Sequence, residues 1–218
     1  DINIKGLKNL IDSLDKLEKK PRLIFANSGA AKLTKKNMKI NNSELDNYTL
    51  SKIKASKLFN SNKTTKNFNG TEVRLFTPYG PKDHEYRLIQ SSVIKIIKGE
   101  YPILRNPNSV RDYIYVEDVV DAFIKIIFSN QNYENIIEIG SSNPTSTKAI
   151  TEKIYSIMDV NREIEIYESS DEEQILYMKA DLSDAKEYLD WAPKINLDEG
   201  IYCLLYTSPS PRDQRGSR

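Results

Sequence analysis

The chain has 218 residues, with 32 Lys+Arg against 31 Asp+Glu and a single His, Cys and Trp. Apolar residues at 39% and charged residues at 29% describe a globular chain of one domain, or of one and a half domains of a composite fold. A net charge of +1 gives no bulk attraction to nucleic acid or membrane, one Cys excludes a disulfide framework or a Cys-rich zinc site, and no apolar run approaches the roughly 20 residues of a membrane span. The first twenty residues alternate apolar and charged positions, unlike a signal peptide, so the cytoplasm is the expected compartment.

Leu7, Leu10, Ile11, Leu14 and Leu17 recur at helical spacing, and Pro21 stops that helix. Residues 22–25 read as a buried strand that ends in Asn27-Ser28-Gly29, giving the helix–strand rhythm of an α/β sheet. The polar stretch 32–46 reads as a surface loop, and 48–59 as a helix with Leu50, Ile53 and Leu58 on related faces. Residues 61–70 are polar again. A second strand is expected over 72–76, closed by the turn Thr77-Pro78-Tyr79-Gly80-Pro81. Helical spacing returns over 88–98, followed by a turn at 106–108, a short strand at 113–116 and a helix over 117–128 with Val120, Phe123, Ile124 and Ile127 inward. A strand over 135–140 precedes a helix capped within Thr145-Ser146-Thr147 and ending near Met158. A strand over 164–167 and a helix over 182–189, capped by Asp181 or Ser183, complete the series.

From Cys203 onward the pattern changes: residues 208–212 have no period, and 214–218 have no apolar residue. Residues 203–213 match the conceptual translation of a transposase-based sequencing adapter, so 203–218 are expected to be a non-native, disordered tail.

Tyr48 and Lys52 stand four apart on an expected helix, so a phenol and an ammonium can share a cleft. A phenol alone is a poor base at neutral pH, and a neighbouring cation favours phenolate, which suits a proton shuttle for alcohol oxidation or ketone reduction. The same spacing also describes an ordinary helix surface, and Tyr101 and Arg105 repeat it with Arg in place of Lys. Ser28 lies at a strand C-terminus, where open α/β sheets bind ligands; its hydroxyl could hold the same substrate oxygen or simply satisfy the turn. His84 has no partner His or Cys and reads as solvated, so no metal site is expected. The acidic run at 168–173 reads as a solvated loop.

These blocks, with residues 3–12 (NIKGLKNLID), 23–30 (LIFANSGA), 73–81 (VRLFTPYGP), 111–122 (RDYIYVEDVVDA), 137–154 and 179–201, resemble the extended short-chain dehydrogenase/reductase family of NAD-dependent nucleotide-sugar epimerases and dehydratases, in the family's order. The resemblance implies the C-terminal half of a doubly wound, Rossmann-type parallel sheet plus a smaller mixed α/β substrate domain. It implies that Ser28 polarises the sugar C4 oxygen, that Tyr48 is the general acid/base, and that Lys52 tunes Tyr48 and binds the nicotinamide ribose. Leu75, Phe76 and Thr77 would approach the nicotinamide and the sugar, Arg87 the nucleotide-sugar, and Arg111 the substrate diphosphate. Arg111 could instead be a surface group paired with Asp112 or Glu117. The implied cofactor is NAD or NADP and the implied ligand a nucleotide-diphosphate sugar, with no nucleic acid or membrane partner and with a homodimer among the assemblies the resemblance allows.

Three departures shape the expectation. No Gly-rich dinucleotide loop occurs in the 218 residues, so the chain is expected to lack about one mononucleotide-binding half, on the order of 80–100 residues. Residues 1–76 then form a partial dinucleotide-binding domain and 77–202 a substrate-binding domain that returns a strand near 135–140 to the sheet. Second, Ser28 is followed by Gly29-Ala30-Ala31 where the 4,6-dehydratases carry Asp-Glu, which favours epimerisation or 4-keto reduction over dehydration. Third, Lys32-Leu33 stands where the family has Tyr-Gly, and Thr77 where it has Asn. The expected activity of the parent enzyme is NAD(P)-dependent epimerisation by transient oxidation at the sugar C4. The alternatives are a 4-keto-sugar reductase or dehydratase of the same family and, in another class, a non-catalytic nucleotide-binding fragment; the 218 residues alone are expected to be inactive.

Overall fold

The structure is a computed structural model that describes residues 2–33, 38–39, 45–129, 131, 133, 136–167 and 175–207. Helix α1 (Ile2–Asp15) leads into strand β1 (Leu23–Ser28) and a 3-10 turn, Gly29–Lys32. Strand β2 (Met38–Lys39) precedes α2 (Asn47–Thr65), β3 (Gly70–Leu75) and β4 (Thr77–Tyr79). Next come α3 (Leu88–Ile97), β5 (Ile103–Leu104), β6 (Val110–Arg111), β7 (Tyr113–Tyr115), α4 (Val116–Phe128) and β8 (Ile137–Ile139). Last are β9 (Thr145–Ser146), α5 (Thr147–Ile157), β10 (Glu165–Ile166), β11 (Ile175–Leu176), α6 (Ser183–Leu189) and α7 (Leu197–Thr207).

The main sheet is parallel throughout, in the order β1-β3-β8. Parallel neighbours need long crossovers, and helices supply them: α2 joins β1 to β3, and α4 lies on the path from β3 to β8. This is an α/β fold with helices on both faces of the sheet. On one face Phe25 stacks on Phe59 of α2, within a core shared with Leu7, Ile11 and Leu14 of α1. On the other face Val73, Ile137 and Ile139 pack with Ala122 and Ile126 of α4 and with Trp191. A further core joins α3, α5 and α7 through Val93, Ile150, Ile154, Ile201 and Leu204.

Two buried carboxylates tie these parts together. Asp112, fully buried, accepts hydrogen bonds from the backbone N–H groups of Ser141, Ser142 and Ala180 and from the Ser141 hydroxyl, at 2.6 to 3.0 Å. Asp118 in α4 accepts from the N–H groups of Lys194 and Ile195, both at 3.0 Å, and so fixes the approach to α7.

Several expectations need correction. In α4 the buried face is Val119, Ala122 and Ile126, while Val120, Ile124 and Ile127 are exposed. The apolar arc of that helix is wide, opposite Glu117, Asp121 and Lys125, and only the flank of it next to Asp118 is buried, so periodicity marked the arc but not which flank turns inward. Leu10 and Leu17 also lie half-exposed outside the α1 contact. Helix α2 buries Thr49, Ala55, Ser56 and Phe59 rather than Leu50, Ile53 and Leu58. It also runs six residues past Phe59 through the polar stretch, where Asn62, Thr64 and Thr65 bond back to carbonyls four residues earlier. Within the expected loop 32–46, Met38–Lys39 pairs with Ile175–Leu176. Order does not stop at Cys203, because α7 continues to Thr207 and Leu204 is buried. The acidic run 168–173, the tail beyond 207 and the first residue of the expected 135–140 strand lie outside the described residues.

Candidate active site

A cavity of about 850 Å³ opens at the C-terminal ends of β1 and β3. It brings together the eight residues expected at the site, since Ser28, Tyr48, Lys52, Leu75, Phe76, Thr77, Arg87 and Arg111 all line it, while His84, Tyr101 and Arg105 do not. Three elements of the sheet layer deliver the first group. Ser28 ends β1, Leu75 ends β3 with Phe76 following, and Tyr48 and Lys52 occupy the first two turns of α2. Arg87 precedes α3 and Arg111 lies on β6, so the two guanidinium groups come from the other side of the cleft.

Helix α2 is started by Asp46, whose carboxylate accepts from the Thr49 N–H at 2.7 Å and the Thr49 hydroxyl at 3.0 Å. The Lys52 ammonium lies 5.5 Å from the centroid of the Tyr48 ring. Tyr48 is 54% exposed, so its phenol is open to a ligand. The other cleft tyrosines are less suited to moving protons. Burial pushes the phenols of Tyr79 and Tyr113 up from their ordinary range, and the Tyr79 hydroxyl donates to the Leu197 carbonyl at 3.4 Å. Tyr86 is 80% exposed and stacks on His84.

The Ser28 Oγ accepts from the Ala30 N–H at 3.2 Å, capping the 3-10 turn. The turn-satisfying reading is thus observed, and it leaves the Ser28 O–H able to donate elsewhere. The Asp112 carboxylate is filled by its N–H and hydroxyl donors, and Arg111 makes no ion pair among the described residues, so the surface-pair alternative for Arg111 has no contact behind it. Arg87 is tied to Asp83 at 3.4 Å and donates to the Pro78 carbonyl at 3.3 Å. No group of His, Cys, Asp and Glu that could hold a metal occurs among the described residues, and among them no helix is long and apolar enough to cross a membrane.

Sequence reading gave no role to two polar residues that it named. Asn27 also lines the cavity, one residue before Ser28, and its amide reaches α2 and β3. Lys32, at the position where a family Tyr was expected, ion-pairs with Glu138 of β8 at 2.8 Å. Neither contact has a local spacing signal, since each joins residues distant in the chain.

Comparison with known proteins adds independent information. A family model described as the NAD dependent epimerase/dehydratase family matches residues 1–140. The UDP-glucuronic acid decarboxylase 3 of Arabidopsis thaliana is 28% identical over 139 residues, which are 61% of this chain and 40% of that protein. The UDP-glucuronate 4-epimerase of Thermodesulfobacterium geofontis is 29% identical over 134 residues, 59% of this chain and 40% of the relative. The matched region thus spans about 40% of the length of these curated relatives. Among solved structures, the UDP-glucose 4-epimerase of Thermotoga maritima with UDP-glucose superposes with a TM-score of 0.78 at 22% identity, covering 94% of this chain and 68% of the other. The UDP-glucuronic acid 4-epimerase of Bacillus cereus, in complex with UDP-glucuronic acid and NAD, gives 0.79 at 16% identity, covering 94% and 66%. These likenesses establish the Rossmann-type fold.

Proposed function

The chain belongs to the NAD dependent epimerase/dehydratase family, and on that premise we propose that the protein acts on nucleotide-diphosphate sugars by transient oxidation at the sugar C4, as a 4-epimerase. The observation that carries this reading is the convergence of Ser28, Tyr48 and Lys52 with Arg87 and Arg111 in one cleft. The first three suit proton transfer at a hydroxyl-bearing carbon, and the two guanidinium groups suit a diphosphate.

The cleft also fits a nicotinamide, because apolar Leu75 and Phe76 line it beside Tyr48 and Lys52. Lys52 would hold the adjoining ribose. A bound NAD or NADP would supply the hydride acceptor and donor for the sugar C4. Tyr48 takes the C4 hydroxyl proton and gives it back. Ser28, whose acceptor side is occupied by Ala30, donates to the same oxygen and orients it. The Lys52 ammonium, 5.5 Å from the centroid of the Tyr48 ring, brings a positive charge to the same end of the cleft. Arg111, unpaired among the described residues, binds the diphosphate, and Arg87 supports the nucleotide end.

The organisation belongs to the same proposal. Residues 1–76 form part of a dinucleotide-binding domain and 77–202 a substrate domain, in the cytoplasm, with a second copy of the chain as the expected partner. The 218 residues contain no Gly-rich dinucleotide loop, so turnover is proposed for the parent enzyme, the cofactor-loaded protein of the tests below, and not for these residues alone, for which nucleotide-sugar binding is proposed. Similarity to UDP-glucuronic acid decarboxylases favours a second reading with the same first step. Oxidation at C4 of a uronic acid places its carboxylate β to a ketone, from which carbon dioxide departs readily. Calorimetric titration of UDP-glucose and UDP-glucuronic acid tests the shared part: binding that Arg111→Ala weakens supports it, and binding indifferent to Arg111 contradicts it.

A further inference from the structure

The chemistry requires Ser28 on β1 and the Tyr48–Lys52 pair on α2 to keep a fixed relation, yet the two elements are separate. The cross-link between them lies beneath the cleft. Asn27, 4% exposed, donates through Nδ2 to the main-chain carbonyl of Lys52 at 3.3 Å and to Glu72 Oε1 at 2.9 Å. Glu72, 1% exposed on β3, also accepts from the Ser56 hydroxyl at 2.8 Å, from Asn60 Nδ2 at 2.5 Å and from Arg74 Nε at 3.0 Å. Residues 52, 56 and 60 are spaced by four, so the bonds engage one face of α2 over two successive turns. Both partners of Asn27 Nδ2 are acceptors, which fixes the orientation of the amide. Its Oδ1 is then buried with no partner among the described residues. A residue kept only for packing has no reason to carry that bare acceptor; the two donated bonds account for it.

We propose that Asn27 and Glu72 are positioning residues that clamp the Lys52 turn of α2 to the strand end bearing Ser28. The proposal rests on the C4-oxidation reading of the cleft. Glu72 is filled by donors from both elements, and Asn27 is the group that touches Lys52 and Glu72 together. Loss of the clamp lets α2 shift while Arg87 and Arg111, held by other elements, stay in place. Catalysis therefore suffers and binding does not.

The test compares wild type, Asn27→Asp and Ser56→Ala in the cofactor-loaded protein. Asn27→Asp is nearly isosteric but at neutral pH sets a second carboxylate against Glu72. We expect kcat to fall at least about tenfold, the scale of a sub-ångström misplacement, with KM for the nucleotide sugar unchanged. Activity should recover toward low pH, where the protonated carboxyl again has a donor, a limb absent from wild type. Ser56→Ala, the milder variant, should lose a few-fold in kcat without that limb. Equal kcat and an unaltered pH profile in folded Asn27→Asp overturn the proposal. If wild type itself does not turn over, the C4-oxidation reading fails, and hydrogen exchange on the 218-residue chain then decides the clamp. Faster exchange of the Tyr48–Ser56 amides in Asn27→Asp, with α4 unchanged, supports it; equal exchange overturns it.

Discussion

Tyr48 and Lys52 owe their proximity to helical pitch, since residues four apart share a face, and Ser28 owes its place to the end of a parallel strand. Removing the phenol oxygen alone should therefore separate chemistry from binding. Tyr48→Phe is expected to lower kcat of the cofactor-loaded protein by about 10²–10⁴-fold, the usual worth of a positioned acid/base, while calorimetry finds the nucleotide sugar bound as before. Arg111→Ala should do the reverse at the substrate, weakening binding by about 1.5–3 kcal/mol, the value of a charge-assisted contact, as read by the same titration. A surface carboxylate supplies a pH test. Hydrogen bonds from Lys66 and Lys8 lower the Asp12 carboxyl from 3.8 to about 2. A depressed folded-state value stabilises the fold above about pH 3.8 and loses that contribution as pH falls through about 2. Melting curves between pH 5 and 2 should accordingly fall less steeply for Asp12→Asn than for wild type.

At the scale of elements, the buried side of a helix was legible where the apolar stripe was narrow and misread where it was wide or partly polar. In α1 the stripe at Leu7, Ile11 and Leu14 is the buried face. In α4 the apolar arc is wide, and the bonds of Asp118 to the N–H groups of Lys194 and Ile195 accompany burial of the flank that carries Val119, Ala122 and Ile126, a choice that periodicity did not reveal. In α2 the contact with the sheet is partly polar, through Ser56 and Asn60 to Glu72, and a hydrophobic pattern carries no trace of it. Of the eight candidate residues, Ser28, Tyr48 and Lys52 carried a local signal in a strand end and a helical spacing, while Leu75, Phe76, Thr77, Arg87 and Arg111 were named only through the family resemblance; the contacts of Asn27 and Lys32 had no signal, because their partners lie 25 to 106 residues away. The junction of β8 with the rest of the fold gives a stability test. A Cβ on Gly140 would stand 2.6 Å from the Ala180 Cβ and 2.9 Å from Asp112 Oδ2. Gly140→Ala should thus cost about 1–3 kcal/mol in a denaturant titration, as overpacking does. Asp112→Ala, which strands three backbone N–H groups, should cost roughly 3 kcal/mol or more.

The whole molecule places two different chemistries on opposite walls of one cleft. The sheet layer, with its cores against α1, α2 and α4, presents the hydroxyl, the phenol and the ammonium. The layer around α3, α5 and α7 carries the core beneath Arg87 and Arg111. The proposed nucleotide-diphosphate sugar would set its sugar against the first wall and its diphosphate against the second. The α/β order was legible in the sequence because parallel strands alternate with helices along the chain, whereas the pairing of Met38–Lys39 with Ile175–Leu176 depends on a long-range contact with no local mark. Proton NMR of UDP-glucose and UDP-glucuronic acid incubated with the cofactor-loaded protein is the most direct trial of the C4 chemistry. The expected result is appearance of a C4 epimer, or of the decarboxylated sugar from the uronic acid, with either product abolished by Tyr48→Phe. Unchanged sugars with the wild-type protein, or equal turnover by wild type and Tyr48→Phe, would contradict it.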